Sequence, residues 1–251
     1  MPLRYAASMI VFLHGVPETA ALWDKVRAQF DDETVAPSLP GFGCARPEGF
    51  SSTKDAYAQW LIGELEEFDE PVDLVGHDWG ALLTYRIAST RSDLLRSWTA
   101  DVANGVHPDA RWHRFARVWQ TPDEGEAYFA AIHEAPLESM AEAYEAYHLS
   151  HEDALTLASW SDDTMGGCIL DLYRSAVPNI FATWGPQFGP TASPGLVLHA
   201  QLDPFDNKEM SDDVAKTLNA RQATIRDAGH WWALEAPEES AATIRTFIDS
   251  L

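Results

Sequence analysis

Short apolar runs that end in Gly, Pro or Asp alternate along the chain with longer stretches whose apolar residues recur every three or four positions. The first pattern predicts strands over Met9–Leu13, weakly over Thr34–Ala36, and then over Val72–Val75, Leu95–Asp101, Leu196–Ala200 and Ala223–Asp227. The second predicts helices over Thr19–Phe30, Thr53–Phe68, Ala81–Ser89, Lys208–Leu218 and Pro237–Ile248, the last opening on a proline that suits a first helical turn. Such alternation points to the α/β class, a mostly parallel sheet of about six strands flanked by helices. From about His107 to Asn179 it stops, and helical runs rich in Trp, Tyr, His, Ala and Glu take over. The expected organisation is a core of residues 1–106 and 180–251, with residues 107–179 as a helical cap inserted after the fourth strand. That position covers the carboxyl ends of the strands, where parallel sheets bind ligands.

Composition narrows the partners. At 251 residues and 46% hydrophobic the chain can bury a sizeable core, so disorder is not expected, and no repeat is present. With 17 Lys+Arg against 39 Asp+Glu the net charge is −22, which repels a phosphate backbone and an anionic bilayer surface. Neither nucleic acid nor a membrane is the expected partner; a homo-oligomer stays open. No apolar run approaches the roughly 18 to 20 residues that span a bilayer. Met1–Ala7 lack the charged region, apolar stretch and cleavage site of a signal peptide, so a cytoplasmic location is expected. Cys44 and Cys168 lie far apart with no ligand partner at metal spacing, and Glu64–Glu70 reads as a solvated helix face, so no metal is expected.

The sharpest local signal is Val72-Asp73-Leu74-Val75-Gly76-His77-Asp78-Trp79-Gly80-Ala81, a strand, a Gly-x-Asp-x-Gly turn and then a helix. Small residues two before and two after the central position allow the sharp turn of a nucleophile elbow. The central residue here is Asp78, a carboxylate already anionic at neutral pH and suited to displacement at saturated carbon. A simple helix cap is the plainer role for such an Asp, but the flanking glycines favour the nucleophile. His14-Gly15-Val16-Pro17-Glu18 directly follows the first strand, where a loop supplies an oxyanion-hole N–H; His14, Val16 and Trp79 are the candidates here. Asp203 and His230 follow the last two strands, so Asp78, Asp203 and His230 occur in nucleophile, acid, base order. Asp101, past the fourth strand, is the second candidate acid.

These residues resemble the α/β-hydrolases with an aspartate nucleophile, a group that includes epoxide hydrolases and the haloalkane and haloacetate dehalogenases. The resemblance spans nearly the whole chain and rests on His14-Gly15-Val16-Pro17, Gly76-His77-Asp78-Trp79-Gly80, Asp203 and Gly229-His230-Trp231. It implies an α/β-hydrolase fold, no cofactor, an ester between Asp78 and substrate carbon, and its hydrolysis by water activated at His230. The first predicted strand starts so near residue 1 that the family's customary first two strands are expected to be shortened or missing.

Departures from the family pattern sort the subfamilies. Haloacetate dehalogenases resemble the chain over Tyr128–Pro136 but clamp the substrate carboxylate with arginines where this chain has Trp79 and Leu82. Haloalkane dehalogenases often offer an Asn donor where this chain has Val16. Epoxide hydrolases accept both residues and use cap tyrosines to protonate the opening ring oxygen. Tyr173, in Asp171-Leu172-Tyr173-Arg174, and Tyr128 are the candidates, with Tyr144 and Tyr147 competing. The resulting expectation is an epoxide hydrolase that turns a small apolar epoxide into a vicinal diol. Haloalkane or haloacid dehalogenation by the same residues, and a catalytically silent binding protein, are the alternatives.

Overall fold

The computed structural model describes residues 9–251; the stretch Met1–Ala7 read above for a leader lies outside the described residues. Six strands form one parallel sheet in the order β2-β1-β3-β4-β5-β6. They are β1 (Ile10–Leu13), β2 (Thr34–Val35), β3 (Val72–Gly76), β4 (Leu95–Ala100), β5 (Gly195–Ala200) and β6 (Arg221–Ile225). Because β1 and β2 run outward in one direction and β3 returns to the other side of β1, the chain order reverses between β1 and β3. In open parallel sheets the crevice at such a reversal, outside the carboxyl ends of the strands, is where ligands bind.

Both faces of the sheet are covered, which explains why β1 is apolar at every position, while β3 and β4 bury Asp73, Ser97 and Thr99 among their apolar residues. In β1, Val11 and Leu13 enter one core and Ile10 and Phe12 the other, all at most 2% exposed. The first core is closed by α2 (Lys54–Glu66) and α3 (Trp79–Thr90), the second by α1 (Asp24–Arg27), α11 (Trp232–Glu235) and α12 (Pro237–Ile248). Between β4 and β5 the chain forms five helices, α4 (Arg114–Gln120), α5 (Glu124–Glu134), α6 (Leu137–Glu145), α7 (His151–Ser159) and α8 (Asp163–Arg174), then the short α9 (Phe181–Trp184). After β5 comes α10 (Lys208–Leu218), capped by the Asn207 side chain. No described helix is long and apolar enough to cross a membrane.

Three elements differ from the sequence expectation. The helix predicted over Thr19–Phe30 is a tight 3-10 turn over Ala20–Trp23 that runs into the short α1, an arrangement that buries the adjacent residues Leu22 and Trp23 together with Val26. The last strand is Arg221–Ile225 rather than Ala223–Asp227, because its register is set by pairing with Leu196–Ala200 of β5. As an edge strand with mostly exposed side chains, β6 carries little hydrophobic signal of its own. Finally, α3 begins at Trp79 instead of Ala81, since the elbow turns straight into the helix.

Candidate active site

The end of β3 is the point from which the site is built. Asp78 sits between strand and helix at φ 50° and ψ −118°, a backbone state that an L-residue holds only under constraint from its surroundings. Two glycines supply that constraint by letting backbones meet. A Cβ on Gly80 would lie 2.2 Å from the carbonyl oxygen of Leu13, and one on Gly15 would lie 2.5 Å from Oδ1 of Asp78. Only with both positions bare does the loop after β1 reach the elbow. There the backbone N–H of Val16 donates to Asp78 Oδ1 at 2.9 Å. The Trp79 N–H also favours the Asp78 anion. Both backbone donors anticipated from the sequence thus act on the Asp78 carboxylate.

His230 follows β6 and Asp203 follows β5, and the sheet places them together. The Nδ1–H of His230 donates to Asp203 Oδ2 at 2.9 Å, while Asp203 Oδ1 accepts the N–H of Phe205 at 2.7 Å. With Nδ1 spent on Asp203, the Nε2 edge of the ring faces Asp78 Oδ2 across 4.0 Å. Burial pushes the Asp78 carboxyl up to about 6, against the opposing charges of His230 and His77. Burial alone would depress His230, but the charge and hydrogen bond of Asp203, with Asp78, raise it to about 9. The resting pair is therefore a carboxylate facing an imidazolium at neutral pH. Asp101, the second candidate acid, makes no bond to His230. Its Oδ1 accepts the backbone N–H of Asp78 at 2.9 Å, and its Oδ2 accepts from Nδ1 of His77 at 2.5 Å and Nε1 of Trp232 at 2.6 Å.

Behind the elbow lies a second buried constellation that no spacing rule had singled out. The ring of His77 bridges two carboxylates, its Nε2 reaching Glu18 Oε1 at 3.1 Å and its Nδ1 reaching Asp101. Glu18 also accepts the Trp231 indole N–H at 2.8 Å and the Gly15 N–H at 2.8 Å. Burial would lower the pKa of His77, yet the two flanking carboxylates raise it well above its ordinary value. Donor atoms of Glu18, His77 and His230 all lie within 4.8 Å of one another. A protonated His77 has no lone pair for a metal, so this set serves as a hydrogen-bond network rather than a ligand cage. The sequence signal was present: Glu18 closes the His14-Gly15-Val16-Pro17-Glu18 stretch and His77 sits inside Gly76-His77-Asp78-Trp79-Gly80.

Asp78 and His230 open into a cavity of about 170 Å³ with largely aromatic and aliphatic walls. Tyr173 on α8 and Tyr128 on α5 both line it, as do Tyr144 and Tyr147. Only Tyr173 packs onto the elbow itself, its ring 5.3 Å from that of Trp79 and 4.9 Å from that of Trp119. Burial and the nearby Asp78 charge raise the Tyr173 phenol well above its usual pKa, so it keeps its proton. Tyr128 lies farther out among Phe115, Trp119 and Phe129. The indole N–H of Trp119 is buried without a described hydrogen-bond partner, whereas that of Trp79 favours the Tyr173 oxygen. His14 does not line the cavity; its Nδ1–H donates to the Gly15 carbonyl and its Nε2 accepts from Leu39, which pins the loop after β1. A second chamber of about 70 Å³ also ends on Asp78, and both chambers are lined by His113, Tyr173 and Phe205.

Residues 10–243 match the sequence pattern of the alpha/beta hydrolase family. The chain is similar to epoxide hydrolase 3 of Xenopus tropicalis, 25% identical over 283 aligned positions that cover 96% of this chain and 71% of that protein. Among solved structures, an epoxide hydrolase from Vigna radiata superposes with a TM-score of 0.79 at 21% identity, covering 98% of this chain and 92% of that one. A haloalkane dehalogenase from Bradyrhizobium elkani USDA94 gives a TM-score of 0.73 at 21% identity, covering 99% and 93% respectively. At these identities the structural likeness is one of fold.

Proposed function

The chain belongs to the alpha/beta hydrolase family, and on that premise we propose that it is an epoxide hydrolase that converts a small apolar epoxide into a vicinal diol through an ester on Asp78. The observation that carries this reading is the division of labour between the two oxygens of one carboxylate. Oδ1 is held by the Val16 N–H at 2.9 Å, whereas Oδ2 faces the cavity and the base at 4.0 Å. In the first step Oδ2 attacks a ring carbon, the carbon–oxygen bond of the ring breaks, and the ring oxygen takes the phenolic proton of Tyr173. In the second, the Nε2 proton of His230 leaves to solvent once esterification removes the Asp78 charge, and returns when that charge does. His230 then takes one proton from a water that adds to Cγ of Asp78, while the Val16 and Trp79 N–H groups hold the developing oxyanion. Collapse of that intermediate breaks the bond between Cγ and Oδ2. The two protons of the water finish on the departing alkoxide and on the phenolate of Tyr173, so the enzyme is regenerated.

The haloalkane dehalogenase reading uses the same Asp78 and His230. It is favoured by one observation, the indole N–H of the cavity-lining Trp119, which is buried without a described hydrogen-bond partner and suits a departing halide. One experiment separates the two. A His230→Gln variant exposed to aryl epoxides and to bromoalkanes is weighed intact; losing the base lets the ester form and stops its hydrolysis. A mass gain of one whole epoxide on Asp78 is expected. A gain of an alkyl group with bromide released selects the dehalogenase, and no adduct with either class overturns both.

A further inference from the structure

Resting on the epoxide reading, we propose that His113, rather than Tyr128, is the second catalytic group at the ring oxygen, and that its Nε2–H hydrogen-bonds the oxygen while Tyr173 transfers the proton. The argument begins with position. Two chambers converge on Asp78, and the only polar side chains besides Asp78 that line both, among the described residues, are His113 and Tyr173. Tyr128, Tyr144 and Tyr147 line the larger chamber alone. A ring oxygen leaving a carbon attacked by Asp78 lies at this junction, so a group that lines one chamber alone is less well placed to meet it than one that lines both.

The tautomer of His113 is fixed by its place in the chain. It is the N-cap residue of α4, and its Nδ1 accepts the backbone N–H of Ala116 at 3.2 Å. An accepting Nδ1 carries no proton, so the neutral ring holds its hydrogen on Nε2, at the opposite edge. No described residue accepts from that N–H. The ring is packed by Phe205 at 5.2 Å, Trp119 at 5.8 Å and Tyr173 at 6.1 Å between centroids, and Phe205 in turn lies 4.9 Å from the ring of His230. Burial, with His230 and Arg117 nearby, depresses the His113 pKa to about 4, so the ring is neutral wherever Asp78 is ionised. A neutral imidazole is a poor proton donor but a good fixed dipole, and it stabilises developing negative charge without adding a second cation beside His230. The atoms balance as in the two steps above: His113 keeps its proton throughout, and Tyr173 gives one up and regains it.

The test follows the two half-reactions separately, with styrene oxide as the probe. Rapid mixing and intact-mass detection give the rate of ester formation, and dilution of preformed ester gives the rate of its hydrolysis. His113→Phe is expected to slow ester formation by about a hundredfold and to leave ester hydrolysis within about twofold. His113→Gln, which restores an N–H donor at similar reach, is expected to recover most of the loss. Equal rates of ester formation in wild type and His113→Phe overturn the proposal. So does an equal slowing of both half-reactions, the mark of a merely structural role, or a His113→Gln rate no better than that of the Phe variant. If His113→Phe does not fold, His113→Leu takes its place, and Tyr128→Phe is expected to lose less ester formation than that variant; an equal or greater loss at Tyr128→Phe overturns the proposal. Failure of the epoxide reading itself is seen without any of these variants, as the absence of an epoxide ester in wild type and His230→Gln.

Discussion

Two sets of the same residue types flank the elbow, one in front and one behind, and they differ in a single valence. In front, His230 spends Nδ1 on Asp203 and leaves Nε2 facing Asp78 across 4.0 Å. Behind, His77 spends both nitrogens, on Glu18 and on Asp101, in a pocket where all three side chains are at most 2% exposed. The first arrangement leaves one nitrogen without a fixed partner, free to exchange its proton. The second has none, and holds instead the two loops that shape the elbow: Glu18 binds the Gly15 N–H, and Asp101 binds the Asp78 N–H. On the proposed reading, a carboxylate beside a histidine is not in itself a sign of catalysis, and a nitrogen left unspent toward a cavity is the discriminating feature.

Substituting the two acids breaks the comparison most sharply. Asp203→Asn keeps the shape but removes the charge that supports His230, and is expected to lower turnover by about 10⁴-fold with little change in unfolding free energy. Asp101→Asn is expected to do the reverse. It uncouples a buried ion pair and an acceptor of two other N–H groups, so a loss of about 3–5 kcal/mol is expected in urea unfolding, with much of the specific activity of the folded fraction retained. Assays of diol release and denaturation curves for the two variants decide the matter; if Asp101→Asn loses turnover as deeply as Asp203→Asn while staying stable, the assignment of roles is inverted.

pH sharpens the same contrast with a smaller effect. In the proposed mechanism Asp78 must be ionised to attack, and its pKa is raised to about 6, so ester formation is expected to fall about tenfold per unit as pH drops below that value. His230 must be neutral to act as base. In the resting enzyme it titrates at about 9, partly because Asp78 is negative. Esterification removes that charge, so the hydrolysis step is expected to rise with pH through a midpoint below about 9. Single-turnover rates of each step across pH 5–9 test this, and a rate of ester formation that stays flat from pH 7 to 5 contradicts it. Glu18 supplies the smallest effect. Burial pushes its carboxyl up, yet the His77 charge and hydrogen bond hold it below its ordinary value, so its contribution to stability is fully present above the ordinary glutamate range and is lost as pH falls toward the depressed value. A Glu18→Gln variant is expected to lose this part of the acid dependence of unfolding.

Much of the fold was legible along the chain because each signal was local. Short, mostly apolar runs bounded by turn residues identified β1, β3 and β5, the more mixed Leu95–Ala100 run identified β4, and helical spacing identified α10 and α12 to the residue. The errors fell where local signal is thin. β6 is an exposed edge whose register is imposed by β5, and the Thr19–Phe30 segment is reshaped by the burial of Leu22 and Trp23. Asp78 and His230 were readable from their motifs. Asp203 and Asp101 were not separable, because both follow strands and the distance of each from His230 depends on how the sheet twists. His113 carried no signal at all: a histidine before a helix is ordinary until two chambers are found to meet at its ring.

The sequence by itself determined the parallel sheet, the helical segment between β4 and β5, and an aspartate on a glycine-flanked turn, since apolar periodicity and the steric demands of a sharp turn act between neighbours in the chain. Only the tertiary structure decided which carboxylate supports His230, that Glu18, His77 and Asp101 form one sealed network, and which cap side chains stand over Asp78. Those choices rest on distances of a few ångströms between residues that the sequence holds from 23 to 152 positions apart, and no rule confined to neighbours in the chain fixes them.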